Sequence, residues 1–158
     1  MKRFLTPLLL GLALLAPLPA AAQNAEADNM RILREKMMGD KKLIVAANMA
    51  LTDAESKAFW PIYDAYQAEL QKINEQLGTI IADYARMHNA GKLTDARARA
   101  LMDRYLGAEE AEVRLKRTFA KRLDKVLPGV KVTRYLQIEN KIRAIVKYEL
   151  AGEVPLAE

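Results

Sequence analysis

The sequence predicts an all-α fold, and three observations carry that prediction. Phe59, Tyr63, Tyr66, Leu70, Ile73, Leu77, Ile80, Tyr84 and Met87 recur at alternating steps of four and three, the signature of a long helix with a narrow apolar seam. Two copies of a helix-start signal, Leu51-Thr52-Asp53-Ala54-Glu55 and Leu93-Thr94-Asp95-Ala96, stand at the head of long helical stretches. No segment of the 158 residues alternates with a strand period.

The first 22 residues are read apart from the domain. Lys2 and Arg3 precede an apolar run, Phe4 to Leu18, and Pro19-Ala20-Ala21-Ala22 supplies small residues before Gln23. This is the anatomy of a cleaved secretory signal peptide. The run is short of the ~20 residues a spanning helix needs and contains Pro7 and Pro17. We therefore expect residues 1–22 to be removed on export and 23–158 to form one helical domain, periplasmic in a bacterium. There is no cysteine, so in an oxidising compartment packing alone must hold the fold. Removing Lys2 and Arg3 leaves 23 basic against 20 acidic residues. So mild a surplus argues against a dedicated nucleic-acid binder.

Gln23 to Asp28 reads as a flexible start. A first helix is expected over Asn29 to Met49, with Met30, Leu33, Met37, Ile44 and Ala47 on one face and a weak point at Gly39-Asp40. Thr52 and Glu55 then form a capping box for the second helix, with Leu51 placed for a hydrophobic staple. Pro61 lies well inside that helix, where it removes one donor and crowds the preceding turn, so a kink at Trp60-Pro61 is expected. Asn89-Ala90-Gly91 ends it, Gly91 suiting a left-handed cap. Thr94 starts the third helix, which is read as reaching about Leu127. Its expected face is Leu101, Tyr105, Ala108, Leu115, Phe119 and Val126, interrupted by Glu112 and Arg122. The short connection makes helices two and three antiparallel neighbours. After the Pro128-Gly129 turn, Val132, Tyr135, Ile138, Ile142 and Ile145 mark a fourth helix to about Leu150. Residues beyond Gly152 and Pro155 read as unstructured. Two long seams braced by shorter helices imply an elongated molecule with a thin core, which a homodimer would complete.

The Leu51-Thr52-Asp53-Ala54-Glu55 start, early in an all-helical chain with an export signal, resembles the LTxxQ motif of the Spy/CpxP family of periplasmic proteins. Glu55 stands where the family has Gln. The place of the family's second motif is Leu127-Pro128-Gly129-Val130-Lys131, which keeps the leucine and the turn chemistry. The resemblance implies a four-helix antiparallel dimer shaped like a shallow cradle. It also implies an envelope-stress role: chaperoning without ATP in some members, restraint of a sensor kinase or a metal response in others.

Phe59, Trp60, Ile62 and Tyr63 cluster at the start of the second helix, either as a docking surface for unfolded chains or as core. The seam favours core for Phe59 and Tyr63; Trp60 and Ile62 lie off it, and both readings stand. Met30, Met37, Met38 and Met49 suit gap-filling or an adaptable contact face. Arg114, Lys116, Arg117, Lys121, Arg122 and Lys125 form the densest charge run. Arg117 and Lys121 are candidate contacts for acidic or partly unfolded partners or for an anionic membrane face, against a bland reading in which the run is a solvated face paired with Asp64, Glu69, Glu75 and Asp83 across the hairpin and with Glu109, Glu110 and Glu112 nearby. His88 is the single histidine, too few ligands for a transition-metal site. No phosphate loop or nucleophile motif is present. The expected protein is thus neither an enzyme nor a cofactor binder. It binds unfolded or stress-exposed polypeptides, or else docks on an envelope sensor protein, or is a helical structural module.

Overall fold

A computed structural model describes residues 41–157, and these are helical throughout their regular structure, with no strand among them. Residues 41–49 form α1, followed by α2 (Asp53–Asn89), α3 (Asp95–Leu123) and α4 (Gly129–Glu153). The signal peptide, the start of the first helix with Met30, Leu33, Met37 and Met38, and the Gly39-Asp40 weak point lie outside the described residues.

Each boundary has a local cause. Thr52 Oγ1 accepts from the Glu55 N–H (3.3 Å), and Glu55 Oε2 accepts from the Thr52 N–H (2.8 Å), so the capping box is complete. Leu51 does not staple to the fourth helical residue, which is the polar Ser56; it packs on the main core cluster instead. The α2 helix continues through Pro61 from Asp53 to Asn89. Pro61 and Lys57, whose carbonyl loses its donor, are both exposed, so water can serve that carbonyl. At its far end Gly91 sits at φ 61°, its N–H bonding the His88 carbonyl, while the Lys92 N–H bonds that of Met87. This is a Schellman closure requiring the left-handed position that glycine fills without strain.

The α3 helix stops at Leu123, four residues short of the expected Leu127. Pro128 bars Leu127 from helical geometry, and the chain winds down through a turn closed by the Leu127 N–H to the Leu123 carbonyl (2.9 Å). Leu127 remains buried. The α4 helix runs on to Glu153, and the tail beyond it is held: the Tyr84 hydroxyl donates to the Pro155 carbonyl at 2.9 Å.

The α2 seam from Phe59 to Ile80 is buried as its spacing requires. Two apolar clusters form along it. The larger gathers Val45, Met49, Phe59, Tyr63, Tyr66, Leu70, Phe119, Leu123, Leu127, Val132 and Tyr135; the smaller is Ile73, Leu77 and Ala108. Tyr135 is the hub of the first. It meets Phe59 (5.2 Å), Tyr66 (6.0 Å) and Tyr63 (6.1 Å) in edge-to-face geometry, and Phe119 meets Tyr66 likewise at 5.4 Å.

Several expected faces are rotated. On α1 the buried line is Lys41, Val45 and Met49, whereas Ile44 and Ala47 face outward. On α3 Tyr105 is exposed, and on α4 Ile145 is exposed while Glu139 is buried. On α1 and α4 the buried stripe includes a charged group, Lys41 and Glu139 respectively.

Candidate functional site

The interior of the bundle carries a layer of buried polar groups alongside the two apolar clusters. On one side Lys41 Nζ donates to Gln67 Oε1 and pairs with Glu139 Oε2, both at 2.8 Å. Gln67 Nε2 donates to Glu139 Oε1 (2.9 Å) and to the Tyr135 hydroxyl (3.3 Å). Lys41, Gln67 and Glu139 are all buried. On the other side Glu112 binds Arg143 (2.5 Å) and Lys116 (2.7 Å), and Arg143 also donates to Asn74 Oδ1 (2.6 Å). Burial pushes Glu112 up, but Lys116 and Arg143 outweigh it and hold the carboxyl below the ordinary range. Burial raises the hydroxyls of Tyr63, Tyr66 and Tyr135 far above the usual tyrosine range. Each charge has its counter-charge, so the layer reads as structure.

The two motif-like segments meet in space. Leu51 and Leu127 both pack into the larger cluster. Lys131 Nζ bonds Glu55 Oε2 at 2.5 Å and the Ala50 carbonyl at 3.0 Å. The Lys131 hydrogen bond and that from the Thr52 backbone hold the Glu55 carboxyl below its ordinary range. Glu55 thus caps α2 and fastens it to α4 at once.

The aromatic candidates are corrected by burial. Phe59 is 0% and Tyr63 3% exposed, so neither is a free docking side chain; both are inner members of the Tyr135 cluster. Trp60 and Ile62 are half-buried against the same cluster. Trp60 stacks edge-on to Phe59 (5.0 Å) and Tyr63 (5.2 Å), and its Nε1–H donates to Ser56 Oγ. Lys42 Nζ lies 5.1 Å from its ring centre.

The accessible apolar surface is elsewhere. Met102, Leu106 and Val113 on α3 are 56, 50 and 49% exposed. Steps of four and seven place them on one line of the helix, and Arg117 follows four residues on. Residues 114–141 hold nine Lys and Arg against two acids, Asp124 and Glu139. The nearby acids neutralise part of this run, Glu110 pairing with Arg114 and Glu112 with Lys116, whereas the acids across the hairpin pair elsewhere: Asp64 with Lys42, Glu69 with Lys72, and Asp83 with Arg86 and Arg104. Glu75 accepts from Gln71. Among the described carboxylates none pairs with Arg117 or Lys121, both exposed. This stripe was legible only as an outward apolar set opposite Leu101, Ala108 and Phe119.

Among the described residues no group of three or more His, Asp or Glu is placed to hold a metal ion. None of their helices is long and apolar enough to cross a membrane. His88 stands at the end of α2 beside Tyr84, ring centres 5.6 Å apart. No family model, no curated protein and no solved structure matches this chain.

Proposed function

We propose that this chain is an exported, non-catalytic protein that holds unfolded or stress-exposed polypeptides without nucleotide, in the manner of the Spy/CpxP family it resembles. One observation carries the reading: the exposed line Met102, Leu106, Val113 on α3 runs directly into the cations Arg117 and Lys121, with which no carboxylate among the described residues pairs. An unfolded chain offers that surface what it lacks, scattered apolar side chains and carboxylates, with no fixed shape required. The N-terminal basic and apolar pattern supports export, and the Leu51–Glu55 start supports the family likeness.

The test is suppression of aggregation. The protein at near-stoichiometric ratio should keep several unrelated denatured proteins from scattering light. Leu106→Asp with Val113→Asp should abolish most of that protection while leaving the melting temperature nearly unchanged, since both sites face solvent. Arg117→Glu with Lys121→Glu should weaken it chiefly toward acidic clients. Oligomeric state is measured alongside. If the Asp pair turns a dimer into a monomer while protection persists, the stripe is a self-association surface instead. Binding to one folded partner with no effect on denatured clients would replace the chaperone reading by that of an adaptor.

A further inference from the structure

We propose that α1 is a displaceable strap, and that the aromatic seat beneath it receives an amphipathic helical segment of another polypeptide. The inference rests on the polypeptide-binding reading for its use and adds a second, covered binding surface to it.

The seat is visible in what α1 covers. Lys41, Val45 and Met49 project from one side of α1 at steps of four and are all buried. Val45 and Met49 belong to the cluster of Phe59, Tyr63, Tyr66, Leu70 and Tyr135. The opposite side of α1, with Leu43 and Ile44, is exposed. Part of the aromatic surface at the start of α2 is therefore covered by α1.

The attachment is of a kind that releases. Among the described residues its innermost tie is the buried Lys41–Glu139 pair, shared with Gln67. Such pairs are worth little net, because desolvation offsets most of the Coulomb attraction. Its outer ties, Lys42 to Asp64 and Lys42 over Trp60, are exposed or half-buried. The link from α1 to α2 passes through Ala50 at φ 46°, a left-handed position that disfavours a residue with a Cβ. The remaining bundle has its own fastenings, Glu55–Lys131 and Glu112–Arg143, which do not involve α1.

The seat also specifies its ligand. With Lys41 withdrawn, Glu139 and Gln67 present an acceptor carboxylate and amide inside an apolar rim, and they call for a cation. The fitting partner is a helix with Lys or Arg at one position, a Val-sized residue four later and a Met- or Leu-sized residue eight later, which is the pattern of α1 itself.

Hydrogen exchange on the full chain tests the opening, and a synthetic peptide of residues 38–51 tests the seat. We expect residues 43–49 to exchange at least about ten-fold faster than residues 63–80. Lys41→Met should speed exchange at 43–49 by about a further ten-fold or more, with residues 100–120 changed less than about two-fold. The peptide should bind the Lys41→Met protein at least about ten-fold more tightly than the unaltered chain, and a peptide carrying V45D and M49D should not bind. Exchange of 43–49 only at the global rate in both proteins would overturn the strap. So would equal peptide affinity, or loss of helical circular dichroism in Lys41→Met. These readouts use no denatured client, so their failure is distinct from failure of the aggregation assay.

Discussion

Glu112→Leu takes the acceptor away from two cations at once. Glu112 is buried and holds Arg143 at 2.5 Å and Lys116 at 2.7 Å. Arg143 is itself mostly buried and would keep only Asn74. Stranding a buried charge costs about 3–5 kcal/mol, and since Lys116 can turn to solvent the lower end applies, about 3 kcal/mol. At about 3–6 °C per kcal/mol for a domain of this size, Tm should fall about 10–15 °C. Arg143→Leu should be milder, about 1–2 kcal/mol, because Lys116 still faces the carboxylate. With both replaced no charge is stranded, and stability should return to within about 1 kcal/mol of the starting protein. Urea unfolding of the four proteins, followed by far-UV circular dichroism, closes the cycle. Additivity within about 0.5 kcal/mol would refute the coupling. The pH dependence gives a second check. Lys116 and Arg143 hold the folded carboxyl below its unfolded value near 4.5, so the folded state binds fewer protons in that window. Its contribution is full above about 4.5 and is lost as pH falls through the lower folded value. The stability gap between the unaltered chain and Glu112→Leu should therefore hold steady from pH 7 to about 5 and narrow below 4.5.

Gly91→Ala should cost about 1 kcal/mol, read as a drop in Tm, because alanine must adopt φ 61°. Thr52→Ala should cost about 1 kcal/mol by leaving the Glu55 N–H uncapped, measured by thermal unfolding. Trp60→Ala removes a half-buried ring stacked on Phe59 and Tyr63, and should lower stability by about 2 kcal/mol, again by thermal unfolding. An unchanged Tm would return Trp60 to the surface. Replacing Lys41, Gln67 and Glu139 together by Met, Leu and Leu should leave Tm at or above its starting value. The same triple change should broaden the side-chain resonances of α1 and α4 in NMR spectra, because the groups that select one register are gone.

The first seam of α2 was legible because its heptad step is constant from Phe59 to Ile80, and so regular a repeat marks a buried stripe whichever helices cover it. Gln67 was not legible. It sits one residue past Tyr66, on a polar position by that count, and is buried only because α1 and α4 approach from the other side. A helix with several neighbours has more than one seam, and the second need not be apolar. The signal for it was present in weak form: Lys41 stands four residues before Val45, and Glu139 four after Tyr135, each a charge inside an apolar stripe. The exposed line on α3 was missed for the opposite reason. Met102, Leu106 and Val113 are apolar residues outside the expected face, and scattered surface hydrophobics are ordinary. Their alignment with Arg117 becomes informative only once the acids of α2 are seen to be engaged elsewhere.

The polar layer explains how so regular a set of helices settles in one arrangement. Heptad seams of Leu, Ile and Tyr tolerate a slip of one turn at small loss, because each apolar residue meets another of similar size. Three contacts between α2 and α4 do not tolerate it: Glu55 to Lys131, Gln67 to Glu139 and Asn74 to Arg143. A one-turn shift of α4 would break all three and leave Glu139 buried without Lys41 or Gln67. An unpaired buried carboxylate is costly enough to exclude that register outright. The same groups that fix α4 also seat α1, Lys41 meeting both Glu139 and Gln67. Specificity of fold and a releasable strap follow from one set of buried charges.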